Sequence, residues 1–288
     1  MAPPTPIPAP QAAHGASLTP NHFRPSAREA PLTPEAHTII AACIYIPVAL
    51  VAWNLPVVRD ALAGLKLFVV GAHELFHLAV GVVCGGQVTT VCIDPNDGGA
   101  TTMTNLMRTT PRLYAGPGPL TYAQLHWSPA AVATLTAGYV GSSALGFCYV
   151  FAAFDIVASK VASFTIAVGL LVPIIRADHW IAYASIIASE ALLIGLWFGD
   201  HGNALRFYGI LHLFYTVWDY VDERLFDKRN TSDCTEFAGM LGWSPDVWAI
   251  VWFCWESALF VTAIIAGIVV FQKTPEKMYA DAAGFLPT

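Results

Sequence analysis

Two histidines and a glutamate that could do chemistry stand close together as His73-Glu74-Leu75-Phe76-His77. In a helix, residues four apart lie on one face about one turn from each other, so His73 and His77 are predicted to point the same way. Two imidazoles in this arrangement are typical of two of the three protein ligands of a catalytic Zn2+. Glu74 would lie beside them, where its carboxylate can take a proton from a water molecule at the metal. The spacing therefore predicts a catalytic metal site.

The motif lies inside an apolar segment, ALAGLKLFVVGAHELFHLAVGVVCGG, which is long enough to cross a membrane. Ionisable side chains in such a segment cost several kcal/mol unless they are paired or ligated, so by default they indicate a functional site. The alternative is a satisfied polar cluster that only holds neighbouring helices together.

A third ligand has to come from elsewhere in the chain. The pattern HExxHxxGxxH is excluded because Val80 and Val83 stand where it needs Gly and His. A glutamate from a nearby downstream helix is disfavoured, since no Glu occurs between Glu74 and Glu190. The remaining candidates are carboxylates on or next to apolar runs: Asp97, Asp155, Asp178, Glu190, Asp219, Asp222 and Glu256.

Asp219 is the favoured third ligand, with Asp222 and Asp97 as alternatives. It belongs to the run ALRFYGILHLFYTVWDYVDERLF, where helical spacing would align one polar stripe: His212, Tyr215, Thr216, Asp219, Asp222 and Glu223. A polar stripe on an apolar helix must face protein or water. A helix end that emerges into solvent would also explain Asp222 and Glu223, but it explains Asp219 less well.

The composition of the chain excludes two broad classes of protein. Of 288 residues, 56% are hydrophobic and only 12% are charged, whereas soluble domains carry roughly a quarter charged residues. A soluble enzyme is therefore nearly excluded. The net charge of -6 offers no basic surface for phosphates, so nucleic acid is not an expected partner. The six cysteines form no CxxC pair, which argues against a zinc ribbon or a disulfide framework.

The distribution of apolar residues predicts an all-α polytopic membrane protein with six or seven transmembrane helices. Residues 1–36 are Pro-rich and are predicted to be a disordered tail, and residues 37–272 form the transmembrane domain. Residues 273–288 are a short C-terminal tail. The localisation predicted is therefore multi-pass in a lipid bilayer, and the sequence does not say which membrane. The apolar runs lie near 38–58, 61–85, 130–157, 161–176, 180–198, 204–221 and 246–271, and the sixth is the weakest.

A small β-hairpin insertion is predicted near residues 87–104. Two stretches rich in Thr and Val flank the turn sequence Asp94-Pro95-Asn96-Asp97-Gly98-Gly99. Such a hairpin could rest at the membrane surface or enter a cavity shielded by protein, because bare strand edges cannot face lipid. It could add an extended substrate as a further strand, or it could be purely structural.

These motifs together resemble the site-2 protease class of intramembrane zinc metalloproteases, and most closely its eukaryotic peptidase B-like subfamily. The resemblance covers roughly residues 60–240. Besides the HExxH, the motifs that carry it are Gly85-Gly86-Gln87-Val88 with Gly98-Gly99-Ala100-Thr101, Ala137-Gly138-Tyr139-Val140-Gly141-Ser142, Trp218-Asp219-Tyr220-Val221-Asp222, and Ser232-Asp233.

The resemblance implies a membrane metalloendopeptidase that cleaves a peptide bond within or beside a transmembrane helix of another protein. Zinc would be held by His73, His77 and an Asp, and Glu74 would be the catalytic base. The usual third-ligand motif of the family is Asp-Gly on a later span. Here Asp219 is followed by Tyr220, and the sole Asp-Gly is Asp97-Gly98, before the third span. This departure favours one alternative, a catalytically inactive relative that binds partner helices without cleaving them.

Overall fold

The secondary structure is mostly helical, as the apolar runs predict. The structure, a computed structural model, describes residues 34–52, 55, 58, 62–94, 98–106, 128–171, 180–199, 203–226 and 230–285. Its elements in chain order are α1 (Pro34–Ala52), α2 (Ala63–Val83), β1 (Gln87–Asp94), β2 (Gly98–Thr104), α3 (Pro129–Ala152), α4 (Ile156–Leu171), α5 (Trp180–Gly199), α6 (Asn203–Leu213), α7 (Tyr215–Phe226), α8 (Asp233–Leu241), α9 (Pro245–Val270) and α10 (Pro275–Phe285).

Three of the described helices are long and apolar enough to cross a membrane. They are Gly64–Val83 within α2, all of α3 and all of α9. Shorter apolar helices occur at Thr38–Ala49, Ile156–Leu171 and Ile186–Gly195. The prediction of a membrane protein agrees with these three long helices, while the count of six or seven spans remains a prediction.

The sixth apolar run folds as two successive helices, α6 and α7, with Phe214 between them. Leu205, Ile210 and Leu211 on α6 are fully buried, and Trp218 on α7 is nearly so. These side chains face other parts of the protein, so the run forms part of the core on which the long helices pack.

The predicted hairpin is present, with β1 and β2 paired antiparallel in a two-stranded sheet. Gly85, which follows α2, has a positive φ of 88°, a conformation that favours glycine and reverses the chain. The hairpin then returns along α2. Three close approaches mark its course: Met103 lies against Gly81, Gly99 against Glu74, and Ile93 against Gly71.

Helix α3 lies at the centre of the described structure because small residues let its neighbours approach closely. A Cβ added at Gly138 or Gly141 would overlap side chains of α2, and one at Gly146 would overlap the backbone of α6. The face of small residues that the sequence shows on α3 therefore packs on two helices, and one of them carries the HExxH motif.

The two terminal tails differ in how far the structure describes them. The Pro-rich tail at 1–36 lies almost entirely outside the described residues, which begin at Pro34. The predicted C-terminal tail at 273–288 contains α10. Lys273, just before it, pairs with Asp155 between α3 and α4 through a 2.9 Å Nζ–Oδ2 contact.

Candidate metal centre

The two histidines of the motif lie side by side on one face of α2. Their Nε2 atoms are 2.9 Å apart, and both side chains are buried. The helical spacing of four residues produces this arrangement, since it sets the two imidazoles one turn apart. Both Nε2 atoms are thus directed at a common point.

Helix α3 fixes the orientation of both rings through their other nitrogens. His77 Nδ1 lies 2.7 Å from the Thr134 carbonyl oxygen, which can only accept, so Nδ1 donates this hydrogen bond and Nε2 is the nitrogen that faces the donor group. His73 Nδ1 lies 3.1 Å from the Ser142 hydroxyl oxygen. Such bonds behind the coordinating nitrogens are typical of metal-binding histidines.

The carboxylate that the structure brings to this point belongs to Asp233. Its Oδ2 lies 2.9 Å from His73 Nε2 and 2.9 Å from His77 Nε2. Asp233 is the first residue of α8, and Ser232 before it caps that helix by accepting a hydrogen bond from the Thr235 amide. Burial by itself would raise the pKa of the Asp233 carboxyl, but His77 and His73 beside it hold that pKa well below its ordinary value.

The chemistry of these three donors fits a catalytic zinc ion. Two imidazole nitrogens and one carboxylate oxygen are the ligand types that zinc takes, and three protein ligands leave one coordination position open. Among the described residues, His73, His77 and Asp233 form the one such group, with all three ligand atoms within 4.8 Å of one another.

Glu74 lies next to this group and is held by the hairpin. Its Oε2 accepts a 2.6 Å hydrogen bond from the Thr101 hydroxyl on β2. The carboxylate also packs on Gly99, where any Cβ would overlap it. The hairpin therefore positions the residue that the sequence analysis proposes as the general base.

A cavity of about 410 Å³ opens beside two of the three donors, His77 and Asp233. Glu74 and Glu236 also contribute to its polar lining. Its other walls come from β2, from the start of α3 and from α8, with the side chains Met103, Leu106, Ala131, Leu135 and Met240 among them. The open side of the donor set thus faces a space large enough for part of a peptide chain.

Gly138 on α3 lies directly against the two imidazoles of the site, besides allowing α3 to pack closely on α2. A Cβ at this position would overlap Nε2 of both His77 and His73. The AGYxGS motif thus includes a residue whose lack of a side chain leaves room at the point where the two imidazoles converge.

Asp219, the favoured third ligand of the sequence analysis, lies behind Asp233 and is not part of the donor group. Its Oδ2 accepts hydrogen bonds from the Tyr139 hydroxyl at 2.7 Å and from the Asp233 amide at 3.1 Å. The alternative Asp222 forms a buried ion pair with Lys66, 3.1 Å long. The other alternative, Asp97, lies outside the described residues.

Asp233 was not among the candidate ligands expected from the sequence, because those candidates were carboxylates on or next to apolar runs. Asp233 lies in the polar connection that precedes the last long helix. This connection folds back over the HExxH motif. A local signal existed in Ser232-Asp233, since a serine followed by acidic residues is typical of the start of a helix. A helix start can direct a side chain into a site, although the sequence does not show which site.

Comparison with known proteins gives one finding of similarity. A family model described as Peptidase M50B-like matches residues 40–121 and 120–264. No curated protein and no solved structure shows significant similarity to the chain. The matched stretches contain the two histidines, Glu74, the hairpin and Asp233, and they cover most of the sequence. The chain therefore belongs to the Peptidase M50B-like family, within the site-2 protease class of membrane metalloproteases.

Proposed function

We propose that this protein is a zinc-dependent intramembrane protease that cleaves a peptide bond within or beside a transmembrane helix of another membrane protein. It would be a multi-pass integral membrane protein. The observation that carries the proposal is the convergence of His73, His77 and Asp233 beside Glu74, with His77, Asp233 and Glu74 on the wall of a cavity.

The depth of the site supports cleavage inside the bilayer. His73 is the middle residue of the 21-residue helix α2. At a rise of 1.5 Å per residue, it lies about 15 Å from either end of the helix. A bilayer core is about 30 Å thick, so a substrate bond must reach roughly mid-membrane depth to meet these donors.

The residues have distinct roles in the proposed mechanism. His73, His77 and Asp233 would hold zinc, which when bound polarises a carbonyl group and makes water more acidic. Glu74 accepts a proton from the water that attacks the scissile carbonyl carbon. It then donates this proton to the amide nitrogen of the leaving peptide. Thr101 holds one carboxylate oxygen of Glu74 so that the other can face the reacting water.

The hairpin offers a way to present the substrate. A protease needs its peptide unwound, and residues Gly99 to Met103 of β2 line the cavity next to the donors. An extended peptide could pair with the edge of β2 opposite β1 as a third strand, with its backbone beside Glu74. Apolar side chains in the cavity walls, such as Met103 and Leu135, suit the side chains of a transmembrane segment.

Replacement of Glu74 by Gln tests the proposal, because this change keeps the size of the side chain and removes its ability to take a proton. New N-termini of membrane proteins would be compared between cells that express the parent chain and cells that express Glu74→Gln. We expect peptides with new termini inside predicted transmembrane segments only with the parent, and about one zinc per purified chain in both proteins. Equal cleavage by the Glu74→Gln protein would contradict the mechanism.

The departure from the Asp-Gly motif of the family supports a second candidate, a relative that binds helices without cleaving them. The carboxylate beside the histidines, Asp233, is followed by Cys234 instead of glycine. Under this alternative, the same experiment would give no new termini with either protein, although the parent would still bind zinc.

A further inference from the structure

We propose that Asp219 and Glu223 on α7 are positioning residues that hold Asp233 in place for the metal. This inference rests on the proposed zinc site and assigns a role to two carboxylates that the hydrolytic mechanism does not use. Neither side chain touches the reacting atoms in the proposed mechanism, and both act on the first turn of α8.

Asp219 binds the backbone of the proposed ligand itself. Its Oδ2 accepts a hydrogen bond from the Asp233 amide at 3.1 Å, and the same oxygen accepts one from the Tyr139 hydroxyl at 2.7 Å. Tyr139 is fully buried and Asp219 is 7% exposed. Hydrogen bonds to a charged acceptor are stronger than neutral ones, and here they fix the backbone from which the Asp233 side chain extends.

Glu223 binds the residues on either side of Asp233. Its Oε2 accepts a hydrogen bond from the Ser232 amide at 2.7 Å, and both of its carboxylate oxygens lie 2.9 Å from the Thr235 hydroxyl. The first amides of a helix have no partner within that helix. Two carboxylates one turn apart on α7 thus satisfy successive amides at the start of α8.

Helix α7 is also fixed to the helix that carries the histidines. The Tyr215 ring stacks on the His73 imidazole with 3.9 Å between centroids. Asp222 pairs with Lys66 on α2 at 3.1 Å. Helix α7 therefore contacts both α2 and the start of α8. The relative position of His73 and Asp233 therefore depends on α7, so loss of the Asp219 carboxylate should weaken metal binding.

The test measures zinc affinity of the purified full-length protein by competition with a chromophoric chelator. We expect Asp219→Ala to weaken zinc binding about 10- to 100-fold while one zinc per chain still binds at saturation. Asp219→Asn should restore much of the affinity, because its amide oxygen can still accept from the Asp233 amide. Asp233→Ala should abolish saturable binding.

Asp155→Ala is the matched control, since Asp155 is also a buried carboxylate that accepts a backbone hydrogen bond at the start of a helix, from the Ala158 amide of α4. It should leave zinc affinity within about threefold of the parent. Glu223→Ala should weaken binding in the same direction as Asp219→Ala, and visible spectra of the cobalt-loaded proteins would report the changed ligand geometry.

Three results would overturn the inference. The first is an affinity of Asp219→Ala equal to that of Asp155→Ala. The second is loss of the site in both Asp219→Ala and Asp219→Asn with the site retained in Asp233→Ala, which would make Asp219 the ligand. The third is a parent chain that binds no zinc, which would refute the proposed function itself.

If Asp219→Ala does not fold, Tyr139→Phe removes one hydrogen bond to Asp219 and should still weaken binding severalfold.

Discussion

Each histidine of the candidate metal centre uses both of its ring nitrogens, one towards the donor group and one towards α3. His73 Nδ1 faces the Ser142 hydroxyl, and His77 Nδ1 faces the Thr134 carbonyl. Because an imidazole can rotate about its own side-chain bonds, the partner behind the ring decides where Nε2 points. The residues behind the donors should therefore matter nearly as much as the donors.

Replacing Ser142 by Ala should weaken zinc binding about 10-fold or more, because His73 loses the partner that orients its ring. Ser143→Ala is a close control. Ser143 is also fully buried, but its hydroxyl bonds to the Val140 carbonyl oxygen and accepts from Trp255. This control should cost about 1 kcal/mol of stability and leave zinc affinity unchanged. Chelator competition and thermal unfolding of both variants would check the prediction, and equal zinc affinities would contradict it.

Replacing Gly138 by Ala should abolish zinc binding, because the added methyl group would occupy the space between α3 and the two Nε2 atoms. Gly195 offers a control in another helix, since a Cβ there meets nothing within 4 Å. Gly195→Ala should raise stability by about 0.5–1 kcal/mol, the usual gain for this change inside a helix. Zinc content of the two purified proteins is the measurement. A full zinc complement in Gly138→Ala would show that α3 can move aside.

At the scale of single residues, the sequence predicted the shared face of His73 and His77 because four-residue spacing is a property of one helix. It did not predict which carboxylate faces them, because that depends on how a polar connection folds back over α2. Asp219 satisfied the sequence criteria of burial and polarity, and the structure does bury it. Its oxygen contacts the Asp233 amide instead of the donor group. The periodicity of polar residues cannot tell a carboxylate that faces the metal site from one that lies directly behind it.

The hairpin and α2 act together as one structural unit. Returning from Gly85, the two strands run along α2, where Gly81 lets Met103 approach closely and Gly99 leaves the space that the Glu74 carboxylate occupies. The sequence predicted the hairpin from its turn residues and β-branched flanks. It left open whether the hairpin lies on the surface or within the protein, because the choice depends on which helix offers a matching face.

Replacing Thr101 by Val should lower the rate of cleavage about 10-fold with little change in zinc affinity, because it removes the hydroxyl that holds Glu74 and keeps the volume. Loss of a hydrogen bond to a charged group costs roughly 1.5–3 kcal/mol, and part of this should appear in the barrier. Thr104→Val is the control, since its exposed hydroxyl makes only a 3.4 Å contact with the Gln87 carbonyl. Cleavage rates and zinc contents would be compared, and equal rates would argue that Glu74 is positioned without the hairpin.

The positions of the long apolar helices were easier to predict from the sequence than the number of membrane crossings. Long apolar runs produced α2, α3 and α9 with bounds close to those expected. The run at 204–221 folds as two helices with Phe214 between them, and several of its side chains enter the core. Hydropathy measures whether a segment avoids water, and it does not separate contact with lipid from burial within the protein.

At the scale of the whole molecule, helix α9 has apolar side chains on its outer face, which is the pattern expected where a helix faces lipid. Val261 and Ile265 are more than half exposed, whereas Ala263 and Ile264 are buried. Val261 lies nine residues from the end of α9, or about 14 Å at 1.5 Å per residue. Val247 is exposed too, but it lies only two residues from the start of the helix.

Arg at these two positions should have different effects if the outer face of α9 contacts the bilayer. Val261→Arg places a charge near the centre of the bilayer, which costs about 2.5–3.5 kcal/mol, whereas Val247→Arg can extend its charged end to the interface. We expect Val261→Arg to lower the fraction of chain that resists alkaline extraction from membranes at least several-fold, and Val247→Arg to behave as the parent. If both variants insert equally well, the exposed face of α9 is covered by protein or water instead of lipid, and α9 is not an outer span.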